Sequence, residues 1–342
     1  MAAAAAEGAP ASVQLGPSPL LEVSDLRVTF RTRAASIHAV QGISFSVEPG
    51  QTLAIIGESG SGKTVSAQAV MGILPRTATV SGSIRFKGDE LVGRSEHELR
   101  DYRGRNVAMV FQNPERSLNP TMRIGTQIAE AILSHLKVDR KEAHERAVEL
   151  LRMVRLQAPE RRFYEYPHQL SGGMRQRVMI AIALACGPAL LIADEATTAL
   201  DVTTQAQIMD LLMDLQQQTG TALLMISHDL GLAASYAEEV IVMYAGKVVE
   251  QAPTKELFAD VRMPYTQALL DAIPRIETEP HVLLPVIGGR PPDLAVIPSG
   301  CSFAPRCPAV QDDCREQAPP LRQHEPGRWW ACWHPYRKGA PE

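Results

Sequence analysis

The stretch Gly57-Glu58-Ser59-Gly60-Ser61-Gly62-Lys63-Thr64 constrains the fold more than any other part of the chain. It matches the phosphate-binding pattern in which two glycines enclose four residues and Lys and Ser or Thr follow. The glycines let backbone N–H groups close around phosphate oxygens, and the helix that follows adds partial positive charge. Lys63 can neutralise the β- and γ-phosphates, and the Thr64 hydroxyl can ligate Mg²⁺. We therefore expect a strand–loop–helix unit whose loop binds a nucleotide.

Short apolar runs along the chain predict an α/β core around this unit. Five of them are continuously hydrophobic rather than alternating, which is typical of a parallel sheet covered on both faces. Helical segments separate most of these runs. Apolar and polar residues alternate near Ile43, Phe45 and Val47, and again in Ser83–Phe86. This pattern predicts antiparallel strands with one solvent-exposed face. The five continuous runs are Leu53–Ile56, Val107–Phe111, Leu190–Ala193, Leu223–Ile226 and Val240–Tyr244.

A helical subdomain is expected over about residues 115–177. Asp139 is a suitable N-cap for one of its helices. The residues of that helix that share an apolar face are Ala143, Ala147, Leu150, Leu151 and Val154. For the whole chain we expect a disordered lead over residues 1–19, a main domain over 20–262 and a Cys- and Pro-rich C-terminal extension over 263–342.

Composition excludes several classes of function. The formal net charge is −4, so no basic excess exists to hold a nucleic acid. The longest uncharged apolar stretch, Val178–Ala193, is shorter than the roughly 20 residues of a membrane span, and Gly187-Pro188 interrupts it. The alanine-rich start contains no Lys or Arg, which a signal peptide would carry. We therefore expect a cytosolic protein with no nucleic-acid partner.

Two carboxylates and a second glycine-containing loop are further candidates for the nucleotide site. The apolar run Leu190–Ala193 ends in Asp194, which is placed to hold Mg²⁺, and in Glu195, which can polarise an attacking water. The segment Leu170–Arg177 contains Leu-Ser-Gly-Gly and opens a helix that is expected to run to about Ala185.

The order of these motifs, followed by His228 after another buried strand, resembles the ATPase subunit of ABC transporters. The resemblance implies a RecA-like parallel-sheet core, an antiparallel β-subdomain and a helical subdomain. It also implies hydrolysis of ATP with Mg²⁺ by two ATPase domains packed head to tail. In that arrangement Ser171, Gly172 and Gly173 serve the nucleotide bound to the partner's phosphate loop.

The resemblance assigns roles to further single residues. Gln112 matches the Q-loop glutamine, which contacts Mg²⁺ and the lytic water and faces the membrane subunit. Asp201 matches the D-loop aspartate, and His228 matches the switch histidine at the γ-phosphate. At the base, Phe30 falls where an aromatic ring stacks on adenine. The nucleotide site is further expected to include Val40 and Val65.

This chain departs from the family pattern at three positions. Met174 stands in place of the common signature glutamine, Ala196 in place of proline, and Thr64 in place of serine. None of these changes removes a catalytic group, because Thr64 retains its hydroxyl and Ala196 forgoes only a fixed φ.

The segments Tyr166–Ala181 and Gly300–Pro308 narrow the resemblance to the subgroup that powers dipeptide and oligopeptide importers. This implies two permease subunits, a sister ATPase rather than a homodimer, and indirectly an extracytoplasmic binding protein. The chain is then expected at the cytoplasmic face of the membrane. A nickel or other small-solute importer is the alternative, and a soluble ABC ATPase or a Cys-rich redox module are further ones.

Four cysteines cluster near the C-terminus, with Trp329, Trp330 and Trp333 beside the last of them. Their spacing contains no C-x-x-C pair, and a disulfide framework is disfavoured in a reduced cytosol. The set suits zinc or an iron–sulfur cluster, and free thiols remain open. The family resemblance favours [4Fe–4S], with Zn²⁺ as the alternative. These residues are Cys301, Cys307, Cys314 and Cys332, whereas Cys186 is expected to pack in the core.

Overall fold

The computed structural model describes residues 18–33, 35–198, 200–273, 286–296 and 298–337. Nearly all of the expected disordered lead, residues 1–17, lies outside the described residues. The described strands are β1 (Leu21–Arg31), β2 (Ser36–Val47), β3 (Thr52–Ile56), β4 (Ala78–Phe86), β5 (Asp89–Glu90), β6 (Val107–Val110), β7 (Leu190–Asp194), β8 (Ala222–Ser227), β9 (Glu239–Tyr244), β10 (Lys247–Pro253), β11 (Arg322–Glu325) and β12 (Arg328–Trp330).

The helices alternate with the central strands and also form a separate group between β6 and β7. They are α1 (Lys63–Met71), α2 (Glu96–Tyr102), α3 (Pro114–Ser117), α4 (Ile124–His135), α5 (Arg140–Met153), α6 (Pro159–Arg162), α7 (Gly172–Leu184), α8 (Val202–Thr219), α9 (Leu230–Tyr236), α10 (Thr254–Ala259), α11 (Pro264–Asp271) and α12 (Asp312–Glu316). None of the described helices combines the length and apolar character that crossing a bilayer requires.

The predicted parallel core is confirmed. The five continuous apolar runs form β9, β3, β8, β7 and β6, which lie side by side in that order and pair in parallel. Successive side chains of a strand point to opposite faces. Thus Leu53 and Ile55 pack towards the antiparallel strands, whereas Ala54 and Ile56 pack towards the helical side. Burial on both faces explains why these strands carry no alternating pattern.

The antiparallel sheet and the helical group also form as expected. Strands β2, β1, β4 and β5 pair antiparallel in that order. Helices α3 to α6 lie between β6 and the Leu170–Gly173 segment, which we call the signature loop. Asp139 caps α5, because its Oδ1 accepts the N–H of Glu142 at 2.8 Å. The five residues predicted to share the apolar face of this helix are all buried.

The C-terminal extension contributes strands to the central sheet, which sequence patterning did not predict. Strand β12 pairs antiparallel with β10, and β11 pairs with β12, so this hairpin extends the edge beyond β9. An earlier part of the extension reaches the antiparallel sheet, where the N–H of His38 donates to the carbonyl of Leu294 at 3.0 Å. The extension is thus built onto both sheets of the main domain.

Candidate nucleotide site

The phosphate loop joins β3 to α1, and close backbone approach explains its glycines. Gly57 has φ of 149°, and a Cβ there would lie 2.2 Å from the carbonyl oxygen of Met243. Gly62 has φ of 102°, and a Cβ there would lie 2.5 Å from the carbonyl oxygen of Ala39. Side chains rarely adopt such positive φ values, so glycine is needed for the loop to turn into the N-terminus of α1.

Lys63 is buried at the start of α1 and is held inside the loop. Its Nζ donates to the carbonyl oxygens of Gly57 at 2.7 Å and Glu58 at 2.9 Å. Burial lowers the pKa of Lys63, and the nearby carboxylates of Glu195 and Asp194 oppose that shift. The ammonium therefore lies where an anionic ligand would restore the solvation that it loses on folding.

Thr64 and Asp194 meet across the loop although they are far apart in sequence. The Thr64 hydroxyl donates to Oδ1 of Asp194 at 2.9 Å. Asp194 ends β7 and is buried, which raises the pKa of its carboxyl group. A hydroxyl and a buried carboxylate are the hard oxygen donors that Mg²⁺ takes alongside phosphate oxygens. This pair fits a magnesium site at the phosphate loop.

Glu195 is the centre of a hydrogen-bonded group. Its Oε2 accepts Nε2–H of Gln112 at 2.7 Å and the hydroxyl of Thr198 at 3.2 Å. Nδ1 of His228 lies 3.5 Å from the same oxygen. Glu195 itself has φ of 46°, a left-handed conformation that costs energy for a non-glycine residue and is common at functional sites. The carboxylate is thus fixed in place beside the loop.

A cavity of 610 Å³ opens beside these groups. The predicted site residues that line it are Phe30, Ser59, Gly60, Gly62, Lys63, Thr64, Val65, Gln112, Glu195 and His228. Ile37, Ala39 and Leu294 also line it and were not predicted. Of the remaining loop residues, Gly57 and Glu58 accept bonds from Lys63, and Ser61 is buried. The cavity therefore has an apolar end and a phosphate-loop end.

Val40 does not line this cavity. Its side chain is buried among the apolar residues between the two sheets. Thr29 lies opposite His38, and Val28 lies opposite Val40, so Ala39 is an extra residue in β2. This β-bulge places Ala39 rather than Val40 at the cavity. The inclusion of Val40 in the nucleotide site therefore stays a prediction, one that the position of its side chain does not support.

The signature loop and Asp201 lie apart from the described lining of the cavity. Ser171 caps α7, and its Oγ accepts the N–H of Met174 at 3.4 Å. A Cβ on Gly173 would lie 2.7 Å from Cγ2 of Thr204, so the start of α7 packs closely on α8. Asp201 caps α8 and accepts both the N–H and the hydroxyl of Thr204, which lowers its pKa. The exposed Ser171 is available to a second molecule.

The four clustered cysteines come together as free thiols. Burial raises the pKa of Cys332 to about 12, and the other three sulfurs add to that shift. Backbone N–H groups point at these sulfurs, from Ala304 to Cys301 and from His334 to Cys332. Such N–H groups favour the thiolate form, which is the form that binds a metal. The donor set fits a thiolate-bound metal centre.

One of the four thiols, that of Cys314, belongs to a compact group of possible metal ligands. In the described part of the chain, the group of metal-ligand atoms that lie within 4.8 Å of one another comes from Asp313, Cys314 and His334. Cys186 lies elsewhere, partly buried beside the carbonyl of Ala131.

Comparison with protein families gives two matches along the chain. Residues 40–198 match the family described as ABC transporter. Residues 249–314 match the family described as oligopeptide/dipeptide transporter, C-terminal region. The second match includes three of the four clustered cysteines, because it ends at Cys314.

Curated relatives extend this likeness over nearly the whole chain. The oligopeptide transport ATP-binding protein OppD of Escherichia coli is 47% identical, over 92% of this chain and 93% of that protein. The protein AppD of Bacillus subtilis is 46% identical, over 95% of this chain and 99% of its own. OppD of Mycobacterium tuberculosis is 52% identical over 89% of this chain, but this chain spans only 50% of that relative's length.

Two solved structures are also similar to this chain in their three-dimensional fold. The ATP-binding cassette MJ0796, in a dimeric post-hydrolysis state bound to ADP and Pi, has a TM-score of 0.62 at 28% identity. It covers 68% of this chain and 98% of its own. CbiO1 from Clostridium perfringens has a TM-score of 0.60, also at 28% identity, and covers 70% of this chain and 91% of its own.

Proposed function

The chain belongs to the ABC transporter family, among its oligopeptide transport ATP-binding proteins, and on that premise we propose that it hydrolyses ATP to energise a peptide importer. The observation that carries the proposal is the convergence of Gln112, Glu195 and His228 on the cavity at the phosphate loop. These residues come from three different strand ends, and the parallel sheet brings them together. Dipeptides and oligopeptides are the proposed cargo, because the curated relatives are named for them.

Glu195 is proposed as the general base. Its carboxylate accepts a proton from water as the water oxygen attacks the γ-phosphorus. The bond between that phosphorus and the oxygen that bridges the β- and γ-phosphates breaks, which gives ADP and phosphate. Gln112 and Thr198 hold the carboxylate through hydrogen bonds. His228, whose Nδ1 lies 3.5 Å from the same oxygen, is proposed to contact the γ-phosphate. Lys63 and the loop N–H groups bind the phosphates.

Thr64 and Asp194 are proposed to hold Mg²⁺, with Gln112 completing its protein surroundings. The ion, when bound, neutralises charge on the phosphate oxygens. The Thr64–Asp194 hydrogen bond supports this assignment, since it brings two oxygen donors together at the loop.

A complete catalytic site is proposed to need a second ATPase subunit. Ser171, Gly172, Gly173 and Asp201 lie outside the described lining of this chain's own cavity. In the dimer they would face the nucleotide of the other subunit. The structural relative MJ0796 was solved as a dimer. We propose a sister ATPase as the second subunit.

The permease subunits are proposed to dock beside the Q-loop. An apolar groove of 260 Å³ lies between the sheet core and the helical group, and its walls include Met109, Leu118 and Ile182. Phe111, next to Gln112, lines this groove and is 38% exposed. A permease segment in the groove would contact Phe111, the residue before Gln112. Movement of that segment would be transmitted through the hydrogen bond from Gln112 to Glu195. We therefore propose that the subunit lies at the cytoplasmic face of the membrane.

Cys301, Cys307, Cys314 and Cys332 are proposed to hold a [4Fe–4S] cluster, with zinc as the alternative. The backbone N–H groups that face the sulfurs support a thiolate-bound metal centre, and the family resemblance favours the cluster over zinc. Because none of the four cysteines lies in the described lining of the nucleotide cavity, we assign the cluster a structural role.

The test is to isolate the tagged full-length chain from membranes and identify the co-purifying subunits by mass spectrometry. We expect two permeases and a sister ATPase. The purified assembly, reconstituted with its binding protein, should hydrolyse ATP faster with an oligopeptide than with nickel. Nickel-selective stimulation would overturn the peptide assignment, and isolation without any membrane subunit would overturn the transporter role. Phe111→Asp should lose the permeases and retain ATP binding.

A further inference from the structure

Arg306, in the cysteine-rich extension, forms an ion pair with Glu58 of the phosphate loop, whose side chain is partly exposed. Nη1 of Arg306 lies 2.6 Å from one carboxylate oxygen of Glu58, and Nη2 lies 2.8 Å from the other. The Arg306 side chain is only 3% exposed. Two parallel bonds of this kind fix direction as well as distance. The pair therefore joins residues that are 248 positions apart in a defined geometry.

Together with two backbone contacts, the ion pair holds Glu58 at three points. Arg306 binds its carboxylate, its N–H donates to the hydroxyl of Tyr265 at 2.9 Å, and its carbonyl accepts from Lys63 at 2.9 Å. Lys63 is the residue that is proposed to contact the phosphates. Arg306 thus acts on the loop residue whose backbone also positions that lysine.

The same guanidinium also fixes the segment that reaches the other end of the nucleotide cavity. Its Nε donates to the carbonyl of Gly288 at 2.8 Å, and its Nη2 donates to the carbonyl of Ile287 at 3.2 Å. That segment continues to Leu294, which lines the cavity and is bonded to His38 of β2. One side chain therefore connects the phosphate loop to a segment that forms part of the cavity wall.

Aromatic rings pack around the guanidinium side of this contact. The guanidinium lies 5.8 Å from the ring centroid of Tyr244 and 5.9 Å from that of Phe303. Nη1 also donates to the hydroxyl of Tyr244 at 3.2 Å. In such surroundings a charge that loses its partner is costly, and its field is poorly screened. Without Arg306, the Glu58 carboxylate would leave an uncompensated negative charge in the loop that receives a triphosphate.

We propose that Arg306 is a positioning residue of the nucleotide site, through which the C-terminal extension sets the affinity for ATP. The proposal rests on the nucleotide site proposed above. Arg306 neutralises Glu58, fixes the loop before the nucleotide arrives and anchors the segment that carries Leu294. A loop that is already ordered loses less conformational freedom on binding, so its affinity is higher.

The test is a double-mutant cycle on the full-length chain, with ATP and Mg²⁺ titrated by calorimetry. Arg306→Gln should weaken ATP binding about tenfold, a coupling of the size expected between contacting charged residues. The same substitution in the Glu58→Gln background should change affinity clearly less, by no more than about threefold, because only the bonds of Arg306 to groups other than Glu58 are then lost. Arg306→Lys retains the charge but not the two parallel N–H donors of the guanidinium. Its affinity for ATP should lie between those of wild type and Arg306→Gln. Arg322→Gln, at an exposed arginine of the same extension, is the matched control and should bind ATP normally.

In the assembled transporter, Arg306→Gln should raise KM for ATP about tenfold, in line with the binding loss, and leave kcat within about twofold. Equal losses of affinity in the two Glu58 backgrounds would show that Arg306 does not act through Glu58. A purely structural role would instead lower the melting temperature and the bound fraction together, without any dependence on Glu58. Lys63→Ala separates the two proposals. If it abolishes ATP binding while Arg306→Gln has no effect, only the role of Arg306 fails, and if it binds normally, the nucleotide site itself fails.

Discussion

Nε2 of Gln112 donates a hydrogen bond to Oε2 of Glu195 at 2.7 Å. The two residues follow neighbouring parallel strands, β6 and β7, and are 83 positions apart. Gln112 also adjoins Phe111, which lines the proposed permease groove. A single hydrogen bond therefore separates a residue at a docking surface from the proposed catalytic base, so that contact with the permease can alter the position of the carboxylate.

Glu195→Gln should leave ATP binding intact and reduce hydrolysis at least 100-fold, the scale of a positioned acid–base group. The amide retains the shape and most hydrogen bonding of the carboxylate but cannot accept the proton from water. ATP turnover by the assembled transporter is the measurement, and a closed ATP-bound dimer should accumulate.

A sister subunit can hide this effect if it supplies most of the turnover. The control is an assembly in which only the sister's corresponding carboxylate is replaced. Adding Glu195→Gln to that assembly should remove the hydrolysis that remains. Unchanged turnover after this addition would refute the assignment of Glu195.

Much of this site could be predicted because its signals are local in sequence. The Gly57–Thr64 loop and the Asp194-Glu195 strand end each lie within a few residues, and a buried strand precedes both. Ala39 could not be assigned, because a β-bulge depends on the pairing of β2 with β1, which the apolar pattern of β2 alone does not contain. The sequence alone therefore predicts Val40 rather than Ala39 at the nucleotide site.

The contributions of the extension depend on long-range contacts that no spacing rule describes. Leu294 lies in a segment without periodic structure, and its place at the cavity depends on a backbone bond to His38. Arg306 stands in the sequence as one charge between two cysteines, with nothing nearby to indicate that Glu58 is its partner. Burial of that charge was the missing information, since an arginine that is removed from water must be paired.

Ser171→Arg should preserve ATP binding by the isolated subunit and lower turnover in the assembly. The substitution adds bulk and charge at a loop that is proposed to face the other subunit's phosphates, and it leaves Lys63 untouched. Asp139→Arg removes a helix N-cap in the same helical group and is the matched control for loss of a cap, which costs about 1 kcal/mol. If Ser171→Arg weakens ATP binding by the isolated chain, the loop acts within its own subunit.

Thr64→Val should raise the Mg²⁺ concentration that gives half-maximal ATP turnover at least about tenfold, because loss of a direct ligand should cost no less than loss of an outer-shell partner. Valine retains the volume of threonine and removes the hydroxyl that contacts Asp194. Thr64→Ser retains the hydroxyl and should behave as wild type. Superimposable Mg²⁺ titrations of Thr64→Val and wild type would contradict the magnesium assignment.

The four clustered cysteines should define one metal centre, and each of them should be needed. The chain purified without oxygen should be brown and contain about four irons and four labile sulfides if the centre is [4Fe–4S]. Cys307→Ser, and likewise the other three substitutions, should remove the colour and expose the extension to proteolysis, because metal binding stabilises only the folded segment.

Cys186→Ser is the matched control for these substitutions, since Cys186 lies outside the group and contacts Ala131 instead. This variant should retain the colour. ATP binding should survive loss of the metal because Lys63 and Thr64 are untouched. Since Arg306 adjoins Cys307, any weakening of that binding should not exceed the effect of Arg306→Gln. A colourless anaerobic preparation with one zinc would overturn the cluster and keep the shared site, whereas a metal-free, protease-resistant extension would overturn both.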